Sequence, residues 1–289
     1  MIRGLVARWR RRNWVPSEAA RRFEGRRPFT VVTGASRGLG RALAGRFAAA
    51  GDNLLLVARG AEDLGRAAGE LAPHSAGEIE TLALDLVAPD AGSKLAERLK
   101  QLNGYADILV NNAGLGYSGR FARQSEVGLD RLIALDVRAL SELMRRFLPD
   151  MLVRGRGGIL NVASLAGFAP GPYQAAYYAS KAYVIALTEA VAHEEAGKGV
   201  RICAFAPGPI ATDFHADMGA EKAYYLRFMG LAGAERVSAV GYYGFKLGLV
   251  TVVPIGIPFL AAVALRLLPH RISVPFIGWL LKPDRAERH

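Results

Sequence analysis

Pro28 to Gly51 reads PFTVVTGASRGLGRALAGRFAAAG. Pro28 to Thr33 is a short β-branched run, the composition of a buried strand. It passes directly into Thr33-Gly34-Ala35-Ser36-Arg37-Gly38-Leu39-Gly40, and a helix from Arg41 to Ala50 follows, ended by Gly51. In such a strand, glycine-rich turn and helix, the glycines permit a tight turn. They also let the backbone approach a pyrophosphate seated at the helix N-terminus.

Working outward, the same alternation repeats. Strands are expected at Asn53–Ala58, Ile79–Leu84, Asp107–Val110, Gly158–Ala163 and Val200–Ala206, with a seventh within Leu249–Val253. Helices are expected over Ala61–Ala72, Asp90–Leu102, Val127–Leu152 and Gln174–Ala192. Alternating strand and helix through the first six strands predicts a single α/β domain, a Rossmann-type, doubly wound parallel sheet, of about seven strands once the β-branched run near its end is added. Ligands of such a sheet bind beyond the carboxyl ends of the strands, where Arg59, Asp85, Asn112, Ser164 and Pro207 all fall.

The second strand ends in Arg59 and not in an acid. A carboxylate there would hold a ribose 2′-hydroxyl, whereas arginine accommodates a 2′-phosphate. Arg37 can reach the same phosphate, so two guanidiniums and no carboxylate favour NADP(H) over NAD(H). In Tyr-Tyr-Ala-Ser-Lys, residues 177–181, Tyr177 and Lys181 lie four apart and share a helix face. The neighbouring ammonium is expected to lower the phenol's pKa from about 10 and make Tyr177 an acid/base.

About half the residues are hydrophobic, enough for a sizeable core, and the one cysteine, Cys203, lies in an apolar run that suits a buried residue. No intrachain disulfide is possible, which fits a reducing compartment. The net charge of +11 is uneven: residues 1–28 hold nine arginines against two glutamates. A basic arm can meet anionic lipid or stand as a solvated extension, and the residues leave both readings open. The body has no Cys/His metal spacing and no basic-aromatic surface, so neither a metal nor nucleic acid is expected.

Taken in order, TGASRGLG (33–40), Asp85-Leu86, NNAG (111–114), Ser164, YYASK (177–181) and PGPIAT (207–212) resemble the short-chain dehydrogenase/reductase family over roughly residues 28–255. The resemblance implies that Tyr177 is the general acid in carbonyl reduction. Lys181 would lower its pKa and bond the nicotinamide ribose, and Ser164 would hold the substrate oxygen. By the same resemblance Gly34, Ser36, Gly38, Leu39 and Gly40 cradle the pyrophosphate, with Arg37 and Arg59 toward the 2′-phosphate. Asp85 and Leu86 meet the adenine, and Asn112, Ala113 and Gly114 line the adenosine side. Pro207, Gly208, Ile210 and Thr212 sit by the nicotinamide. A homodimer or homotetramer is usual in the family.

One position departs from the family pattern. Where the family usually has an asparagine in the long fourth helix, whose main chain holds a relay water, this chain has Asp136. The relay uses backbone and is expected to survive. A carboxylate near Lys181 would offset the ammonium and raise Tyr177, giving a more alkaline optimum for oxidation than an Asn version. The alternative is a tolerated near-isosteric change.

After Thr212, about Asp213 to Glu235 is the segment that closes over substrate in the family. Its Phe214, Met218, Tyr224, Tyr225, Phe228 and Met229 suit either a pocket for a lipophilic carbonyl compound or a helix packing on the core. Leu247 to Leu265 carries no charge, near the length of a membrane span. Gly248, Pro254, Gly256 and Pro258 interrupt it, which favours strand, turn and an apolar helix to Leu268. Ile272 to Leu281, with Trp279 between Arg271 and Lys282, has the look of an interfacial or dimer-forming segment. The expected division is a basic arm over 1–27, a nucleotide-binding domain over 28–255 and an apolar helical extension over 256–289. The expected activity is NADP(H)-dependent carbonyl reduction or alcohol oxidation on a small-molecule substrate in the cytoplasm. Peripheral contact with the inner face of a membrane is left open, as is a weakly catalytic NADP(H)-binding or partner-binding module.

Overall fold

The computed structural model describes residues 18–220, 225–226 and 230–282. Seven strands form one sheet, β1 (Arg27–Thr33), β2 (Asn53–Ala58), β3 (Ile79–Ala83), β4 (Gly104–Asn111), β5 (Gly157–Val162), β6 (Val200–Phe205) and β7 (Thr251–Val252). All pair in parallel, in the order β3-β2-β1-β4-β5-β6-β7. Helices cover both faces, so central strands have no solvent side. That is why Leu54-Leu55-Leu56-Val57 is an unbroken apolar run, every member of it buried. Alternate residues feed two separate cores, Val31 and Leu55 on one face and Val32 and Leu56 on the other. Cys203 is buried on the second face, and burial pushes its thiol up to about 12.

The connecting helices are α1 (Gly38–Ala48), α2 (Ala61–Leu71), α3 (Ala91–Gln101), α4 (Glu126–Ile133), α5 (Leu140–Arg154) and α6 (Ala175–Glu194). The short α7 (Phe214–Asp217) and α8 (Ala234–Lys246) follow β6, and α9 (Ile257–Leu267) and α10 (His270–Leu280) end the described chain. The sequence predicts one helix over 127–152. Instead a π-helical segment, Ala134–Ala139, separates α4 from α5. Such wide turns recur at functional sites, and no hydrophobic period announces them. The seventh strand, at the sheet edge, is only two residues long, and Leu249 and Val250 before it are half exposed.

Residues 18–23 of the expected basic arm dock on the body through Ala20 and Phe23, which are buried, while Glu18, Ala19, Arg21 and Arg22 stay exposed. Together they form a 3₁₀ turn whose Phe23 is buried edge-on against Tyr105, at 5.3 Å, with the Arg154 guanidinium over both rings. Arg22 reaches Asp150 at 2.5 Å. Residues 1–17, which hold the rest of that arm, lie outside the described residues.

The chain reverses direction across the sheet between β1 and β4, which is where a doubly wound sheet opens a crevice. Thr33 ties the two strand ends together. Its Oγ1 accepts the backbone N–H groups of Asn112 (2.9 Å) and Ala113 (3.1 Å).

Candidate active site

The crevice at the carboxyl ends of the strands is a single cleft of about 1670 Å³. Gly34 stands at φ +64°, and a Cβ there would lie 2.9 Å from the Ala113 backbone. A Cβ on Gly40 would lie 2.1 Å from the Gly34 carbonyl oxygen. Only glycine fits either place. Asn112, expected to line the adenosine side, spends its amide on the turn itself: Nδ2 donates to the carbonyls of Thr33 (3.0 Å) and Gly34 (3.2 Å). Ser36, Arg37, Gly38 and Leu39 line the cleft, as do Arg59, Leu86, Ala113 and Gly114.

Two charged residues assigned to the cofactor already have protein partners. Arg37 pairs with Asp213 at 3.2 Å and with Asp217, both from the segment after Thr212. Asp85 accepts from Arg131 at 2.7 Å and from the Val87 N–H at 3.2 Å. Arg131 comes from α4 and carries no motif that sequence reading could have used. Arg59, by contrast, lines the cleft with no ion-pair or hydrogen-bond partner among the described residues.

Ser164, Tyr177 and Lys181 converge in the same cleft. Ser164 follows β5, its place fixed where Leu165 N–H donates to the Pro207 carbonyl at 2.9 Å. Its side chain accepts from Ala166 N–H at 3.2 Å, and its hydroxyl favours the Tyr177 phenolate. Tyr177 and Lys181 share the inward face of α6, with the ammonium 5.6 Å from the phenol ring centre. Lys181 Nζ donates to the Val162 carbonyl at 3.4 Å.

Asp136 is the residue whose part differs most from expectation. It sits in the π segment, and its side chain enters the site. Oδ1 accepts Leu115 N–H at 2.7 Å, and Oδ2 lies 3.1 Å from Lys181 Nζ. Burial pushes the Asp136 carboxyl up, against the pull of Lys181 and the Leu115 N–H. Burial works against the Lys181 ammonium too, but Asp136 and Tyr177 outweigh it and hold Lys181 above its ordinary value.

The expected downward shift of Tyr177 is corrected accordingly. Burial raises the phenol; Lys181 and the Ser164 hydroxyl pull it down; Asp136 adds to the rise, and the net shift is upward. The effect of Lys181 was legible from spacing, whereas the desolvation that overrides it was not.

Pro207, Gly208, Ile210 and Thr212 line the cleft beside these groups. Phe214 tilts against Tyr177 with ring centres 5.6 Å apart, and Met218 packs with both. Tyr225 hydrogen-bonds His215 Nδ1 at 2.8 Å. Tyr224, Phe228 and Met229 lie outside the described residues. The wall that sequence reading missed is C-terminal: Leu265, Ile272, Phe276 and Ile277 of α9 and α10 line the same cleft as Tyr177.

Comparison with known proteins agrees with this geometry. A short-chain dehydrogenase solved from Sphingobium yanoikuyae in complex with NADPH superposes with a TM-score of 0.73 at 31% identity, covering 79% of this chain and 88% of that one. A bulky-bulky ketone specific alcohol dehydrogenase from Comamonas testosteroni gives 0.69 at 28% identity, over 80% and 87% of the two chains. The 3-oxoacyl-[acyl-carrier-protein] reductase of Staphylococcus epidermidis is 33% identical over 183 residues, 63% of this chain and 75% of the reductase. An uncharacterised oxidoreductase of Staphylococcus saprophyticus is 32% identical over 194 residues, 66% of this chain and 83% of its own length. The profile described as short chain dehydrogenase matches residues 28–223, the stretch that carries the glycine turn, Ser164, Tyr177 and Lys181. The chain belongs to the short-chain dehydrogenase/reductase family.

Proposed function

We propose that the protein is an NADP(H)-dependent oxidoreductase that reduces a carbonyl group on a lipophilic substrate, with alcohol oxidation as its reverse. The observation that carries this reading is the meeting of Ser164, Tyr177 and Lys181 in one cleft with the glycine turn. A buried phenol held above its ordinary pKa is protonated at neutral pH, which is the state a proton donor needs.

The residues present fit the cofactor. Gly34 and Gly40 leave no room for side chains where the backbone must approach a pyrophosphate. The Arg59 guanidinium, without an ion-pair partner among the described residues, suits a 2′-phosphate, with Arg37 in the turn as its second ligand. Asp85, fixed by Arg131, and Leu86 take the adenine end; Asn112 to Gly114, Pro207, Gly208, Ile210 and Thr212 take the rest. When bound, the nicotinamide supplies the hydride. Ser164 holds the carbonyl oxygen, and Tyr177 Oη delivers a proton to it as negative charge develops. Lys181 stabilises the phenolate left behind. Phe214, Met218, Tyr178 and the C-terminal helices supply apolar walls and keep water from the reacting atoms.

Several further assignments belong to this reading. The nucleotide-binding domain is taken as 28–255, with a basic arm before it and a helical extension after it. The chain works in the cytoplasm as a homodimer or homotetramer, for which exposed Val127, Ile133 and Tyr183 offer apolar surface. The apolar C-terminal helices make peripheral membrane contact. Among the described residues no helix is long and apolar enough to cross a membrane.

A second reading, a weakly catalytic NADP(H)-binding or partner-binding module, is favoured by one observation: the Asp136 carboxylate 3.1 Å from Lys181. The test is NADPH consumption with a panel of apolar aldehydes and ketones. Tyr177→Phe should cost roughly 10²- to 10⁴-fold in turnover and leave NADPH binding intact. Arg37→Ala with Arg59→Ala should weaken NADPH far more than NADH. NADPH binding without turnover on any compound favours the second reading, and equal loss for both cofactors overturns the phosphate assignment.

A further inference from the structure

The last two helices carry apolar residues on two sides with different destinations. On α9, Ala261, Ala264 and Leu265 recur at i, i+3 and i+4 and line the cleft. Leu260, Val263 and Leu267, at i, i+3 and i+7, form a second stripe that takes no part in the lining; Leu260 is 68% exposed and Leu267 78%. The turn leading into the helix is more open still, with Ile255 95% exposed. On α10, Ser273 and Ile277 are buried in the cleft wall, Ile272 and Phe276 both line the cleft and reach solvent, and Trp279 is exposed outside the lining, stacked on Phe276 at 6.2 Å. A helix packed on a core needs one apolar stripe, so the second is unexplained by the fold.

The charge around it is one-sided. From Leu247 to Lys282 there is no Asp or Glu, while Arg266, Arg271 and Lys282 are cationic. Arg266 is held at 3.1 Å by Glu189 and lies over the Phe168 ring, which pins α9 to the body. Arg271, in the first turn of α10, and Lys282, just past its end, have no ion-pair partner among the described residues. Exposed aliphatic side chains, an aromatic pair and flanking cations without carboxylates make up a surface that suits the headgroup level of an anionic bilayer. Neither α9 nor α10 approaches the length of a membrane span.

We propose that α9 and α10 seat on an anionic lipid surface through Leu260, Val263, Leu267 and Trp279, and that their cleft-lining residues form the mouth through which a membrane-dissolved carbonyl compound reaches Tyr177. This rests on the reading of the cleft as a site for a lipophilic substrate, and names the phase from which that substrate comes. It also explains why α9 carries two apolar faces: lipid is continuous with the outer one and the cleft with the inner one.

The full chain is tested against phosphatidylcholine vesicles with and without phosphatidylglycerol. Trp9 and Trp14 are replaced by Phe, so that Trp279 is the sole tryptophan and the basic arm contributes no signal. Binding to the anionic vesicles with a blue shift of Trp279 and quenching by lipids brominated on their acyl chains is the expected result. Leu260→Gln with Leu267→Gln should lower vesicle partitioning about tenfold or more with NADPH binding retained. No vesicle binding, or binding that leaves Trp279 emission unchanged, overturns the proposal. So does a Leu260/Leu267 variant that dissociates an oligomer in light scattering while vesicle binding is unchanged, because the stripe is then a subunit interface. If NADPH fails to bind while Trp279 is still quenched, the seat of α9 and α10 stands and the cofactor reading falls.

Discussion

Two cation–carboxylate arrangements lie along the same cleft, and they differ in every physical respect but charge. Lys181 and Asp136 are a buried pair, their side chains 7% and 0% exposed, 3.1 Å apart. Arg37, Asp213 and Asp217 are an exposed cluster, with Arg37 59% and Asp213 73% exposed. In the first, neither group can exchange its partner for water, so the pair's protonation is tied to that of Tyr177. In the second, water screens each contact to about 0–1 kcal/mol, and the guanidinium is available to a stronger anion. A site can therefore keep one ion pair as part of its chemistry and another as a replaceable occupant of a ligand's place.

The sharpest way to break this comparison is to strand one buried charge. Lys181→Met leaves the Asp136 carboxylate without its cation, a loss of about 3–5 kcal/mol. Thermal unfolding should fall on the order of 10 °C. Adding Asp136→Leu to that variant should recover most of the stability, since the uncompensated charge is then gone. A Lys181→Met protein as stable as wild type would mean that the pair is no more coupled than the exposed cluster.

A subtler change keeps the shape and removes the charge. Asp136→Asn retains an oxygen for the Leu115 N–H but deletes the carboxylate that raises Tyr177. The phenol's pKa should then fall. Alcohol oxidation needs the phenolate, so the limb on which its rate rises with pH should move to lower pH. Carbonyl reduction needs the phenol, so its activity should be lost from a lower pH upward. Superimposable pH–rate profiles for the two proteins would refute a role for Asp136 in tuning Tyr177.

The two arrangements also differ in how far sequence could foresee them. The sheet, the glycine turn and the convergence of Ser164, Tyr177 and Lys181 were legible. Strand-length apolar runs, glycines and an i, i+4 spacing are local signals, and the motifs fall at strand ends. The direction of the Tyr177 shift was not, because desolvation depends on what packs around α6 from Phe214, Met218 and the rest of the fold. Nor was the π segment, which alters one turn of a helix without disturbing its apolar period. Asp136 was singled out as a departure, yet its direct contact with Lys181 needed the third dimension. The partners of Arg37 were out of reach for the same reason: Asp213 and Asp217 are some 180 residues away in the chain.

That distance makes the exposed cluster the place for the smallest predicted effect and the most specific one. If Arg37 is a ligand of the cofactor's 2′-phosphate, Asp213 and Asp217 are competitors for its guanidinium. Asp213→Asn with Asp217→Asn should then tighten NADPH by roughly two- to fivefold, the equivalent of weak exposed pairs. NADH, which lacks that phosphate, should bind unchanged. The gain must vanish in an Arg37→Ala background, because without the guanidinium there is nothing to compete for. A gain that persists without Arg37, or that NADH shares, would show that the two aspartates act through the general field of the cleft. Arg59 would then be the one arginine left to select the phosphate.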